Sequence, residues 1–263
     1  MTSETNQEFN FYEDELIDEK IAAQQTAIEK EIANEQKLVG DLIELNTLLN
    51  EYLAEDTVYR SKITELSERF RYMRKTRGDG NCFFRAFAFR YFETLMGKPD
   101  EINKLKDLVN KFTSDLSQLG YNSFTVDDFK DVFIEELEKL NNTSDIRLLE
   151  EIFNNSGSSD YIVVFLRLIV SCYLQNNSDF YLAFLETYQS MKDFCSHEVE
   201  PMYRESDHIH IIALTNALEI PVGIIYLDRA DQEKATPHNF PDDSNPNIFI
   251  LYRPGHYDII YRN

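Results

Sequence analysis

Two short stretches of the chain carry residue types that do acyl-transfer chemistry. Asp79-Gly80-Asn81-Cys82 brings one cysteine to the start of an aromatic-rich, helix-forming run, Phe83-Phe84-Arg85-Ala86-Phe87. Gly255-His256-Tyr257-Asp258 supplies an imidazole and a carboxylate much later in the chain. A cysteine attacks a carbonyl as its thiolate, and a free thiol titrates near about 8.5. A helix start favours the anion, because its first N–H groups are unpaired and the macrodipole is positive there. A histidine within reach takes the thiol proton and stays as imidazolium. Gly78 and Gly80 flank Asp79, so backbone N–H groups of the turn can converge on a substrate carbonyl oxygen as it gains charge. Asp79 is itself negative and cannot stabilise an oxyanion; its expected work is to hold the loop by accepting backbone hydrogen bonds.

In a strand, side chains i and i+2 share a face. His256 and Asp258 therefore project together, with Tyr257 on the other side. The expected geometry has the carboxylate accept from the histidine Nδ1–H and leaves Nε2 facing the thiol. Either half alone is weak evidence, since most cysteines at helix starts are inert packing. Cys172 falls in an apolar helical run and reads as core. Cys195 adjoins Ser196 and His197, but neighbouring residues on a helix do not face one another. His208 and His210 lie two apart at a helix start, which suits neither a helical metal pair nor a zinc site. No metal and no cofactor is expected.

The elements that must position these groups are mostly helical. From Leu16 to Gln36 the pattern is helical but thin: Ile17, Ile21, Ile28 and Ile32 form a narrow stripe interrupted by Gln24. Such a helix suits an arm that docks on a partner, or a surface helix lying on its own domain. Residues 1–40 are accordingly read as an acidic helical arm, and 41–263 as the domain carrying the chemistry. Tyr59, Ile63, Leu66 and Phe70 make a helical row, and Tyr72 to Lys75 is an extended lead-in to the turn. After the cysteine helix, the spacing predicts helices over Ile102 to Leu119, Val126 to Leu140 with Thr125 as cap, Tyr161 to Gln175 after Ser159-Asp160, and His208 to Leu218 capped by Asp207. Pro221 to Leu227, Asn247 to Tyr252 and His256 to Tyr261 read as strands. The polar, proline-bearing Asp231 to Pro246 stretch reads as loop. The fold class is α+β, many helices around a small C-terminal sheet.

Composition narrows the partners. Of 263 residues, 26 are Lys or Arg and 47 are Asp or Glu, a net charge of -21. Such a chain repels phosphate backbones, which argues against nucleic acid and anionic lipid. Apolar runs such as Tyr161 to Leu166 and Ile209 to Leu214 are short of the roughly 20 residues a spanning helix needs. The three cysteines form no CxxC pair and no signal peptide is visible, so a cytoplasmic or nuclear protein is expected.

The Asp-Gly-Asn-Cys turn leading into an aromatic helix resembles the OTU family of cysteine deubiquitinases. Arg74-Lys75-Thr76-Arg77, Glu198-Val199-Glu200-Pro201-Met202, Glu205 to Leu214, and Tyr252-Arg253-Pro254-Gly255-His256-Tyr257-Asp258-Ile259 are similar to its otubain branch. The resemblance implies a papain-like OTU fold with a mostly antiparallel sheet. It implies Cys82 as nucleophile, His256 as general base and acid, Asp258 as the carboxylate orienting it, and Asp79 as organiser of the oxyanion loop. It further implies a monomer that cuts isopeptide bonds in polyubiquitin of the degradative, proteasome-targeting linkage. An N-terminal arm would hold ubiquitin or ubiquitin-charged E2 enzymes, and blocking those E2 enzymes without cleavage is the alternative function. One departure is Gly78, which stands where the family pattern carries proline and loosens the turn.

Overall fold

A helix runs directly into a strand just before the cysteine turn, and that junction aims the chain at the site. In the computed structural model the described residues are 36–185, 187–229, 234–235 and 237–263. The arm residues Ile17, Ile21, Ile28 and Ile32 lie outside them. Strand β1 (Ile43–Glu44) leads into a 3-10 helix (Leu45–Glu51). Helix α1 (Thr57–Arg69) then passes into β2 (Phe70–Arg74) without a gap. After the turn come α2 (Cys82–Leu95), α3 (Pro99–Gln118), α4 (Ser123–Glu138), α5 (Ile146–Asn154) and α6 (Ser156–Asn176). Two single-turn helices, α7 (Ser178–Tyr181) and α8 (Met191–Phe194), precede α9 (His208–Leu218). Strands β3 (Val222–Tyr226), β4 (Pro237–Phe240), β5 (Ile248–Arg253) and β6 (His256–Arg262) follow.

The strands form one sheet in the order β1-β2-β6-β5-β3-β4. All neighbours are antiparallel except β3 and β5. Alternation along β5 and β6 divides the sheet's two faces. Ile248, Ile250, Tyr257 and Ile259 join the main core with α2, α6 and α9. Phe249, Leu251 and Ile260 face a second cluster built from Leu45 and Leu48 of the 3-10 helix and Ile63 and Leu66 of α1. His256 and Asp258 share the parity of Ile260 and belong to this second face.

Three expectations from sequence are corrected. Helix α4 is capped by Asn122, whose side chain accepts from Thr125 N–H at 3.2 Å; Thr125 is the third helical residue and supplies the donor. Helix α6 starts at Ser156 with Asn155 as its cap, so Ser159 and Asp160 lie inside its first turns. The stretch read as loop before Pro246 contains β4, which pairs with β3 at the sheet edge. Its first residue is Pro237, and an edge strand tolerates a proline there because one side of it needs no donor. Helix α6 is long and apolar enough to match a membrane span by length and composition. It runs through the main core, with Arg167 fully buried midway along it.

Candidate active site

The turn that delivers Cys82 is held by side chains rather than by its own backbone alone. Gly80 has φ +73, and a Cβ there would sit 2.2 Å from the carbonyl oxygen of Tyr203, so only glycine fits. Asp79 Oδ1 accepts from Asn81 N–H at 2.9 Å. Both Asp79 oxygens accept from Arg85 Nη1, at 2.9 and 2.7 Å. Arg85 is fully buried one turn into α2 and also donates to Asp160 Oδ1 at 2.9 Å and Ser159 Oγ at 3.1 Å. Asn81 is the N-cap residue of α2 by position, yet its side chain does not cap the helix. Its Oδ1 accepts instead from Tyr203 N–H at 3.0 Å and Arg167 Nη2 at 2.9 Å. Arg167 also donates to the carbonyls of Gly80, Val199 and Arg204, and lies 4.6 Å over the Phe84 ring. Burial pulls its guanidinium down to about 10, so it remains a cation at neutral pH.

Those bonds decide which N–H groups remain. Asp79 N–H goes to Arg77 O and Asn81 N–H to Asp79. The N–H groups of Gly80 and Cys82 have no acceptor among the described residues. Cys82 opens α2, where a negative charge is favoured. Donors of this kind beside a nucleophile are what a developing oxyanion requires.

The chain returns to Cys82 through β6. His256 Nε2 lies 2.8 Å from Asp258 Oδ1. The assignment of ring nitrogens expected from sequence is therefore reversed: Nε2 pairs with the carboxylate and Nδ1 is left for the thiol. The reason is geometric. Nδ1 lies on the turn side, 3.5 Å from the point where a Cβ on Gly78 would sit. Burial works to lower the His256 pKa, but hydrogen bonds and charge from Asp258 and Cys82 outweigh it and raise the imidazole to about 9. Burial likewise works to raise the Asp258 carboxyl. The His256 bond and charge, Arg253 and the Thr76 N–H prevail and hold it below the usual carboxylate range. Asp258 is fully buried, with Thr76 N–H on Oδ1 at 3.0 Å and Arg253 Nη2 on Oδ2 at 2.6 Å. Cys82, His256, Asp258 and Asp79 thus meet in one place, from elements far apart in sequence.

The remaining titratable groups singled out earlier do other work. Cys172 and Cys195 are fully buried, and burial pushes each thiol up to about 12. His210 caps α9, its Nδ1 accepting from Asp207 N–H at 3.0 Å. His208 stacks on Tyr226 and meets its hydroxyl at 2.8 Å. Among the described residues no group of His, Cys, Asp and Glu could hold a metal ion.

Arg85, Thr76 and Arg253 stand in motifs quoted from the sequence but are given no role there, and Arg167 is not noted. A lone arginine within an otherwise apolar helical run, as in Val164-Phe165-Leu166-Arg167-Leu168-Ile169, was the available signal. Such a residue is buried only when something pairs it.

Comparison with known proteins gives concordant matches. The sequence profile of the family described as peptidase C65, otubain, matches residues 31–262. Ubiquitin thioesterase OTUB1 of Homo sapiens is 44% identical over 245 residues, covering 93% of this chain and 90% of the relative. Ubiquitin thioesterase OTUB2 of Homo sapiens is 39% identical over 224 residues, covering 85% and 95%. A solved structure described as h/ceOTUB1-ubiquitin aldehyde-UBC13~Ub superposes with a TM-score of 0.86 at 38% identity, covering 94% of this chain and 98% of that one.

Proposed function

The chain belongs to the otubain family of cysteine peptidases, and from that premise we propose that it is a deubiquitinase working through Cys82, His256 and Asp258. The observation that carries the reading is the His256 imidazole, bonded to Asp258 at 2.8 Å and raised to about 9 by that carboxylate and by Cys82. In the first step Cys82 passes its thiol proton to His256. The thiolate attacks the carbonyl carbon of the isopeptide bond at the ubiquitin C-terminus. The carbonyl oxygen takes the negative charge and faces the free N–H groups of the turn. As the tetrahedral adduct collapses, the C–N bond breaks and His256 gives its proton to the leaving lysine amine. Water then adds to the thioester, His256 takes its proton, and Cys82 leaves as thiolate with ubiquitin released as the carboxylic acid. Asp79 and Arg85 keep the turn in place throughout.

The proposed substrate is polyubiquitin of the proteasome-targeting linkage, cut by a monomer in the cytoplasm and nucleus. Three free cysteines and no disulfide among the described residues are compatible with a reducing compartment. Intact-mass analysis after adding a ubiquitin bearing a C-terminal electrophile tests the nucleophile. One adduct on Cys82, absent from Cys82→Ala, is expected together with loss of cleavage of diubiquitin of that linkage. Cleavage retained by Cys82→Ala would refute the assignment.

A second reading has the protein restrain ubiquitin-charged E2 enzymes. The observation favouring it is the 0.86 TM-score to a complex whose description includes UBC13~Ub. It predicts that Cys82→Ala still suppresses chain assembly by such an E2, and that deleting residues 1–40 removes the suppression. Identical behaviour of the two variants rules out an arm role.

A further inference from the structure

Building on the cysteine-peptidase reading, we propose that Arg253 is a positioning residue of this site, clamped in turn by Glu51, and that the pair fixes which carboxylate oxygen Asp258 presents to His256. Arg253 ends β5 and His256 begins β6; the two are direct partners across the hairpin, and Leu251 is paired with Asp258. Directly opposed residues share a face, so Arg253, His256 and Asp258 crowd one corner of the sheet. The division of bonds at the carboxylate is unequal. Oδ1 receives both His256 Nε2 and Thr76 N–H, whereas Oδ2 receives Arg253 Nη2 and no other donor among the described residues. A buried carboxylate oxygen without a donor is unfavourable, and the carboxylate torsion of aspartate is broad and two-fold. Without the guanidinium, Oδ2 is left buried with no donor, and only the Thr76 N–H and His256 bonds on Oδ1 still restrain the plane of the group.

Arg253 is in turn held from outside. Its Nη1 meets Glu51 Oε2 at 2.7 Å, at the end of the 3-10 helix that covers this face of the sheet. Glu51 also pairs with Lys75, in the segment between β2 and the cysteine turn. The bonded series Lys75–Glu51–Arg253–Asp258–His256 therefore leaves the lead-in to the nucleophile turn and comes back to the base. Exposure falls inward along it, from 34% at the Glu51 side chain to 18% at Arg253 and 0% at Asp258. The inner contacts are shielded from salt while the outer one is partly screened. Arg253 thus acts through Asp258 and needs no contact with substrate.

The test compares the full chain with Arg253→Ala, Arg253→Lys and Glu51→Gln. Each is assayed for kcat and KM on a fluorogenic ubiquitin C-terminal amide from pH 5 to 10, and for the rate at which iodoacetamide alkylates Cys82. For Arg253→Ala the expectation is a kcat loss of about 100-fold, the scale of a misplaced catalytic group, with KM within about twofold. The acid limb of the profile moves to higher pH, because Asp258 loses a cation that opposes its protonation. Added guanidinium restores part of the rate to Arg253→Ala and none to wild type. Arg253→Lys keeps more activity than the alanine variant, and Glu51→Gln shows a smaller loss in the same direction. An unchanged kcat and acid limb in Arg253→Ala, or a loss confined to KM, overturns the proposal. Should Arg253→Ala fail to fold, the lysine and Glu51→Gln profiles decide by the same criteria. Should wild type cleave no ubiquitin substrate, the deubiquitinase reading fails by itself. The pH dependence of Cys82 alkylation then still decides whether Arg253 governs the imidazole.

Discussion

The raised imidazole makes the stability of this protein depend on pH in a calculable way. His256 moves from 6.5 to about 9 on folding, so between those values the native state holds a proton that the unfolded chain has released. Stability from this group is complete below pH 6.5 and falls as pH rises through about 9. At about 1.4 kcal/mol per pH unit, the loss integrates to about 3 kcal/mol. The side chain is 19% exposed, so solvent screening takes little from that figure. In a chain of this size, about 3 kcal/mol corresponds to roughly 6–12 °C in Tm. The assay is urea unfolding of wild type and His256→Gln at half-unit steps from pH 6 to 10. Tyrosines and lysines titrate in both proteins and cancel in the difference. The gap between the two curves is expected to shrink by about 3 kcal/mol across the range. Repeating the pair on a Cys82→Ala background isolates the share of Asp258, and the slope is then expected to fall without vanishing. A gap that stays constant from pH 6 to 10 refutes the argument, because it means that His256 gains no proton affinity on folding.

Two further outcomes follow from the site. Gly80→Ala forces a β-carbon against the Tyr203 carbonyl at φ +73, so a rate loss of about 100-fold is expected from the displaced turn. Gly120→Ala, at φ +89 with nothing within 4 Å of the new carbon, serves as the comparison that bears only the left-handed backbone penalty of about 1–2 kcal/mol; equal kinetics for the two variants would refute the close-approach explanation. Alkylation at pH 8 followed by peptide mass spectrometry is expected to label Cys82 and leave Cys172 and Cys195 untouched, since burial pushes both of those thiols up to about 12; comparable labelling of all three would overturn that account.

The groups with local signatures were legible in the sequence. A cysteine after Asp-Gly-Asn, and a histidine two residues from an aspartate in a β-rich run, announce themselves through turn chemistry and strand period. The α+β class and the strands around His256 were equally visible in the change of period after Leu218. What escaped depends on distant neighbours. The choice of Nε2 for Asp258 is set by the ring's placement between β6 and the Gly78 side of the turn, which spacing along β6 cannot encode. Arg167 grips Gly80 and Asn81 from 87 and 86 residues away. Strand β4 is four residues long, starts with proline and has no alternating core face of its own, so its pairing with β3 decides its conformation. The displaced helix starts at Ser123 and Ser156 show asparagines reaching forward to the third helical N–H, a position that apolar periodicity does not mark.

Strand β6 comes last among the strands in sequence yet sits between β2 and β5 in the interior of the sheet. During synthesis the sulfur emerges from the ribosome long before its imidazole partner, and β2 and β5 cannot be bridged until β6 arrives. A half-made chain therefore carries Cys82 without His256 and Asp258. Insertion of this one strand completes the sheet and brings His256 and Asp258 to the sulfur in the same event.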